Sequence, residues 1–181
     1  MRIGHQGVQI VVTGMGLVCA LGNCLEQVWQ RLLRSESAIA LGQPFPELPP
    51  RPLAQIGPNP ACLNQLLEPV VTRALKDAGL VPPLPDGGVV IGSSRAHQGK
   101  LEQLARQFCQ NPRGGDGDWG VNWLDLLPHT PAIATARQIG ATGPVMAPMA
   151  ACATGIWAIA QGFELIRTGQ CQQVVVGAAE A

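Results

Sequence analysis

Apolar residues fall along this chain in two rhythms: short unbroken β-branched runs, and longer stretches at helical spacing. Gln9-Ile10-Val11-Val12-Thr13 is such a run, bounded by Gly14, and predicts a strand covered on both faces of an α/β sheet. Asn23 followed by Glu26 has capping-box spacing, and Val28, Trp29, Leu32 and Leu33 supply the apolar side of the helix behind it. Pro69 suits the first turn of a second helix, with Val70, Val71, Ala74, Leu75 and Ala78 along one side and Gly79 at its end. Gly88-Val89-Val90-Ile91-Gly92 predicts a second strand, and helices follow around Lys100 to Phe108 and Pro131 to Ile139. Val145 to Ala150 is a third extended segment, which Pro148 places at a sheet edge. From Ala153 to Thr168 large apolar residues (Ile156, Trp157, Ile159, Phe163) alternate with alanine and glycine on all sides, predicting a helix buried against several neighbours. Val174-Val175-Val176-Gly177 is the last strand.

Between Ser35 and Ala61 the prolines are dense, so an ordered excursion without regular structure is expected there, within one domain. The Gly/Asp/Trp-rich stretch from Arg113 to Trp123 reads as a surface or lid loop. Four β-rich segments alternating with helices predict an open α/β sheet, mixed but mostly parallel, with helices on both faces.

Twelve basic residues balance twelve acidic ones, which leaves no field to draw in nucleic acid and no polybasic stretch for a membrane surface. Six cysteines in a chain of this length read as reduced thiols, and Cys19 and Cys24 lack the matching pair a zinc site needs. No metal or cofactor is expected, and a cytoplasmic location fits the reduced thiols. The apolar stretch from Val8 to Leu21 resembles a signal-peptide core, but Gly14 and Gly16 break a helix and the stretch is short of the ~20 residues that span a bilayer. Gly14-Met15-Gly16 invites a dinucleotide reading, yet the third glycine of that fingerprint would fall at Cys19. Two glycines allowing a tight turn are the simpler account.

Candidate chemistry concentrates in Met149-Ala150-Ala151-Cys152-Ala153-Thr154-Gly155, where a cysteine stands between an extended segment and a helix. A thiol at a helix start meets unpaired N–H groups and the positive end of the macrodipole, which favour the nucleophilic thiolate. Free cysteine is otherwise a small buried hydrophobe, the reading given to the other five.

The run VVTGMGLVCALGN, the strand GVVIGSS and above all ATGPVMAPMAACATGIWAIAQGFELIRTGQCQQVVVGAAEA resemble the N-terminal half of β-ketoacyl-acyl-carrier-protein synthases, the decarboxylating condensing enzymes of the thiolase-like fold. The resemblance implies that residues 1–181 form one N-terminal condensing-enzyme domain, half of a five-layered architecture. It implies that Cys152 takes an acyl chain from the carrier's phosphopantetheine thiol, with its own backbone N–H as one oxyanion donor. A malonyl-derived carbanion then attacks that thioester. An acyl carrier protein and a homodimer formed through the edge strand are implied as partners.

In the family two histidines, a lysine, a gating phenylalanine and a second oxyanion donor belong to the other half, and His5, His97 and His129 do not sit in those motifs. The chain alone is therefore expected to be inactive in condensation, with a separate C-terminal half as a further partner. Arg95 puts a cation where many relatives carry a small or apolar residue near the acyl tunnel; a surface or interface salt bridge is the alternative role. Two other readings stay open: a catalytically incomplete fragment or partner module, and a thiolase or acetyl-starter ketosynthase using the same cysteine.

Overall fold

The computed structural model describes residues 9–57, 62–110 and 123–181. Helix α1 (Leu25–Leu33) precedes strands β1 (Ile39–Gly42) and β2 (Arg51–Ala54), helix α2 (Leu63–Asp77) and strand β3 (Gly87–Gly92). Helices α3 (Gln98–Gln110) and α4 (Thr130–Ile139), strand β4 (Val145–Met146), helix α5 (Thr154–Arg167) and strand β5 (Gln173–Ala178) complete the order.

Strand β3 is central, hydrogen-bonded in parallel to β4 on one side and β5 on the other. All six of its residues are buried, as its unbroken apolar run predicts for a strand covered on both faces. Alternation along the strand sends Val89 and Ile91 to one face and Val90 to the other. The first pair packs with Leu67, Val71 and Leu75 of α2 and Ala132, Ala136 and Ile139 of α4. Val90 packs with Ala158 and Leu165 of α5 and with Cys171. The result is the α/β layering the sequence predicts, a parallel sheet with helices on both faces. Gly162 lets α5 lie close on β5, since a Cβ there would fall 2.2 Å from Val176 Cγ1.

Five expectations are corrected. Gln9–Thr13 forms no strand: it pairs with no other strand among the described residues, and Val11 and Val12 are 71% and 75% exposed. The segment after it runs over α2 instead, where a Cβ on Gly14 or Gly16 would strike the Ala74 or Val70 carbonyl oxygen at 2.3 or 2.2 Å. Those two glycines therefore serve close backbone packing on a helix, and Met15 N donates to Asp77 Oδ2 at 2.9 Å beside them. The proline-rich excursion holds an antiparallel ribbon, β1 with β2, in which Pro52 pairs with Leu41. A two-stranded ribbon has an open edge on each strand, so a residue without an N–H is tolerated.

Helix α2 starts six residues before Pro69, because Leu63 and Leu67 are buried and hold the earlier turns in place. Helix α5 is buried on one side only, through Thr154, Ala158, Gly162 and Leu165. Its opposite side leaves Ile156 75% and Trp157 54% exposed, together with Ile159 and Phe163. Strand β4 keeps only two residues of the extended segment and lies at the sheet edge, as Pro148 requires. The loop expected at Arg113–Trp123 falls outside the described residues apart from Trp123, which opens a 3₁₀ turn to Leu126. No helix among the described residues is long and apolar enough to cross a membrane.

Candidate functional site

The site is built where the parallel strands end. From β4 the chain passes the end of β3, and a Cβ on Gly92 would meet Thr154 Cγ2 at 2.3 Å and the Pro148 carbonyl oxygen at 2.4 Å. Only glycine allows this crossing so close to the sheet. A 3₁₀ turn, Ala151–Ala153, then leads straight into α5. Cys152 is the middle residue of that turn and is exposed. Open α/β sheets bind ligands outside the carboxyl ends of their strands, which is where this sulfur sits.

Ala151 has φ +49°, a left-handed conformation that costs a non-glycine residue of order 1–3 kcal/mol and persists only where its surroundings enforce it. The enforcing groups are two hydroxyls. Ser94 Oγ lies 2.8 Å and Thr154 Oγ1 2.7 Å from the Ala151 carbonyl oxygen, with 2.9 Å between the hydroxyls themselves. Ala150 N donates to Thr154 Oγ1 at 3.0 Å, and the Thr154 N–H also reaches the Ala151 carbonyl. Thr154 is 2% exposed, so its hydroxyl has been taken out of water and depends on these partners.

Ser94 is held in turn by Glu180, just past β5. That carboxylate accepts from the backbone N–H of Ser94, the backbone N–H of Arg95 at 3.1 Å and Ser93 Oγ at 3.3 Å. Ser93 Oγ accepts from Ala96 N at 3.0 Å, and Ala96 itself has φ +54°. The ends of β3 and β5 are thus tied together beneath the turn that carries Cys152.

Cys152 and Cys109 are exposed, Cys19, Cys24 and Cys62 half-buried and Cys171 buried. Burial pushes the Cys171 thiol up, against a smaller opposing effect of the Gly88 backbone. A helix start is not peculiar to Cys152: Cys24 and Cys62 are the N-cap residues of α1 and α2. What sets Cys152 apart is exposure at the strand ends together with the hydroxyl-held turn. Arg95 is exposed and forms no ion pair among the described residues. His97 is buried against Thr130, with 2.7 Å between Nε2 and Oγ1; His129 is the N-cap of α4, and His5 lies outside the described residues. No cluster of three potential metal ligands occurs among the described residues.

Sequence reasoning missed Ser94, Thr154 and Glu180. The signal was thin: two serines after a strand and one acid after another, brought together only by parallel pairing of β3 with β5.

A family model described as "Beta-ketoacyl synthase, N-terminal domain" matches residues 61–181. The ketoacyl synthase alpha subunit of a tetracenomycin polyketide synthase from Streptomyces glaucescens is 28% identical over 98% of this chain and 47% of its own length. A 3-oxoacyl-[acyl-carrier-protein] synthase 2 from Mycobacterium bovis is 29% identical over 94% of this chain and 45% of its own. The chain spans about half the length of the curated relatives it matches. Among solved structures, a type II polyketide synthase acyl-carrier protein in complex with its hexaketide-bound ketosynthase superposes with TM-score 0.78. At 20% identity, over 97% of this chain and 46% of that one, it shows the shared thiolase-like fold.

Proposed function

Because this chain belongs to the β-ketoacyl synthase N-terminal domain family, we propose that it is the nucleophile-bearing part of an acyltransferase of fatty acid or polyketide synthesis, with Cys152 as the nucleophile. The observation that carries this reading is the exposure of Cys152 on a restrained turn between a parallel strand and α5. In the first step the sulfur bonds to the carbonyl carbon of an acyl thioester, and the carrier's phosphopantetheine sulfur leaves with the proton the cysteine gives up. The Cys152 backbone N–H stabilises the oxyanion formed on the way. In the second step a malonyl carrier loses carbon dioxide, its carbanion attacks the cysteinyl thioester, and 3-oxoacyl carrier and free Cys152 result.

The partners follow from the same reading: an acyl carrier protein and a second copy of this chain added at the free edge of β4, the decarboxylating histidines belonging to the C-terminal half of the family's fold. The edge position of β4 supports the dimer. The named complex of a related ketosynthase with its acyl-carrier protein supports the carrier. A cytoplasmic location accompanies the reading.

A second reading, a partner module without turnover of its own, is favoured by the apolar outer side of α5, where Ile156, Trp157, Ile159 and Phe163 are exposed. Decarboxylation of malonyl carrier by this chain alone would refute it. The nucleophile assignment is tested with a cerulenin-like epoxide and peptide mass mapping. Modification of Cys152 ahead of Cys19 and Cys109 is expected; equal labelling of all cysteines contradicts it.

A further inference from the structure

We propose that Ser94 and Thr154 are positioning residues that aim the backbone N–H of Cys152 at the reacting carbonyl. The proposal rests on the acyl-transfer reading and deepens it. The Ala151 carbonyl and the Cys152 N–H are the two ends of one planar trans peptide, so they point in opposite directions and turn together. Whatever grips the Ala151 oxygen therefore sets where the Cys152 N–H points. Two side-chain hydroxyls grip that oxygen beside the Thr154 backbone N–H, Thr154 Oγ1 at 2.7 Å and Ser94 Oγ at 2.8 Å.

Counting protons sharpens the point. Each hydroxyl has one proton to give, and three contacts are within reach: each hydroxyl to the Ala151 oxygen, and one hydroxyl to the other at 2.9 Å. If both hydroxyls donate to the carbonyl, it receives two side-chain bonds besides the one from the Thr154 N–H. If one donates to the other, the second still donates to the carbonyl. Because Ala150 N already occupies one acceptor site of Thr154 Oγ1, its proton is left for the Ala151 or Ser94 oxygen. Every consistent arrangement keeps the carbonyl held, which is how Ala151 stays at φ +49° against its own preference.

Each hydroxyl arrives from a different element: Thr154 opens α5, and Ser94 follows β3, anchored by Glu180 beyond β5. The peptide is thus fixed to the sheet as well as to the helix it precedes. An oxyanion donor acts through preorganisation, and a donor free to rotate loses that advantage.

The test compares two reactions of Cys152 in Ser94→Ala, Thr154→Val and Thr154→Ser. Acylation by a small acyl thioester of N-acetylcysteamine forms an oxyanion; alkylation by iodoacetamide does not. Ser94→Ala and Thr154→Val are each expected to slow acylation by about tenfold or more, less than outright loss of an oxyanion donor, while alkylation stays within about twofold. Thr154→Ser, which restores the hydroxyl, recovers most of the acylation rate. Equal acylation rates in all variants overturn the proposal, as do parallel losses in both reactions or a Thr154→Ser no better than Thr154→Val. A native chain that is never acylated overturns the acyl-transfer reading itself, and the proposal with it. Should Thr154→Val fail to fold, Ser94→Ala against Ser94→Thr gives the same comparison.

Discussion

His97 shows how a single buried side chain couples this fold to pH. It is 4% exposed, and burial, followed by the charge of Lys100, holds its pKa below the ordinary 6.5, with Asp125 pulling the other way. The folded chain therefore takes up this proton at lower pH than the unfolded chain does. Between those two values the unfolded state binds more protons, so stability is complete above the ordinary value and declines as pH falls through the window below it. Urea unfolding between neutral pH and about pH 5 should show this decline, and His97→Gln should flatten it relative to the native chain. An identical slope in the variant would mean that another group carries the titration. The same scale decides Cys171, whose raised thiol lies under Gly88 at the sheet and is expected to resist alkylation while Cys152 and Cys109 react.

Helix α5 and strand β5 meet through the missing side chain of Gly162. In Gly162→Ala the new methyl meets Val176 Cγ1 at 2.2 Å and Val174 Cγ1 at 3.2 Å, on β-branched residues that cannot swing away. Alanine gains up to about 1 kcal/mol of helix propensity, but overpacking costs about 1–3 kcal/mol, so a net loss of about 1–2 kcal/mol is expected. Gly99, in α3, has nothing within 4 Å of a new Cβ, and Gly99→Ala should be neutral or stabilising by up to about 1 kcal/mol. Thermal melts should fall for Gly162→Ala and hold or rise for Gly99→Ala; a shift of both to lower temperature would contradict this packing. At this scale much of the fold was legible in the sequence. The runs Gly88–Gly92 and Val174–Gly177 became strands because both faces of the sheet are covered, and Pro148 did mark an edge. Gln9–Thr13 has the same local pattern and forms no strand, because β propensity expresses itself only where a neighbour supplies the ladder. Pro69 misled in the other direction, since buried Leu63 and Leu67 outweigh the bond its nitrogen cannot make.

Over the whole molecule the core is asymmetric. One side of the sheet is closed by α2 and α4, and the other by α5, whose outer surface remains apolar and exposed. The placement of Cys152 between an extended segment and a small-residue helix was legible, and the structure leaves the residue exposed. The hydroxyls and carboxylate that hold its turn were not legible, because their sequence separations of 57 and 86 residues close only when β3 pairs with β4 and with β5. All of these features converge on one cysteine at the end of a parallel sheet, proposed above to carry an acyl group. Intact-mass measurement after incubation with an acyl-pantetheine carrier tests that claim directly. The account predicts one added acyl mass that maps to Cys152 and disappears in Cys152→Ala. An unmodified chain, or an adduct that survives in Cys152→Ala, would contradict it.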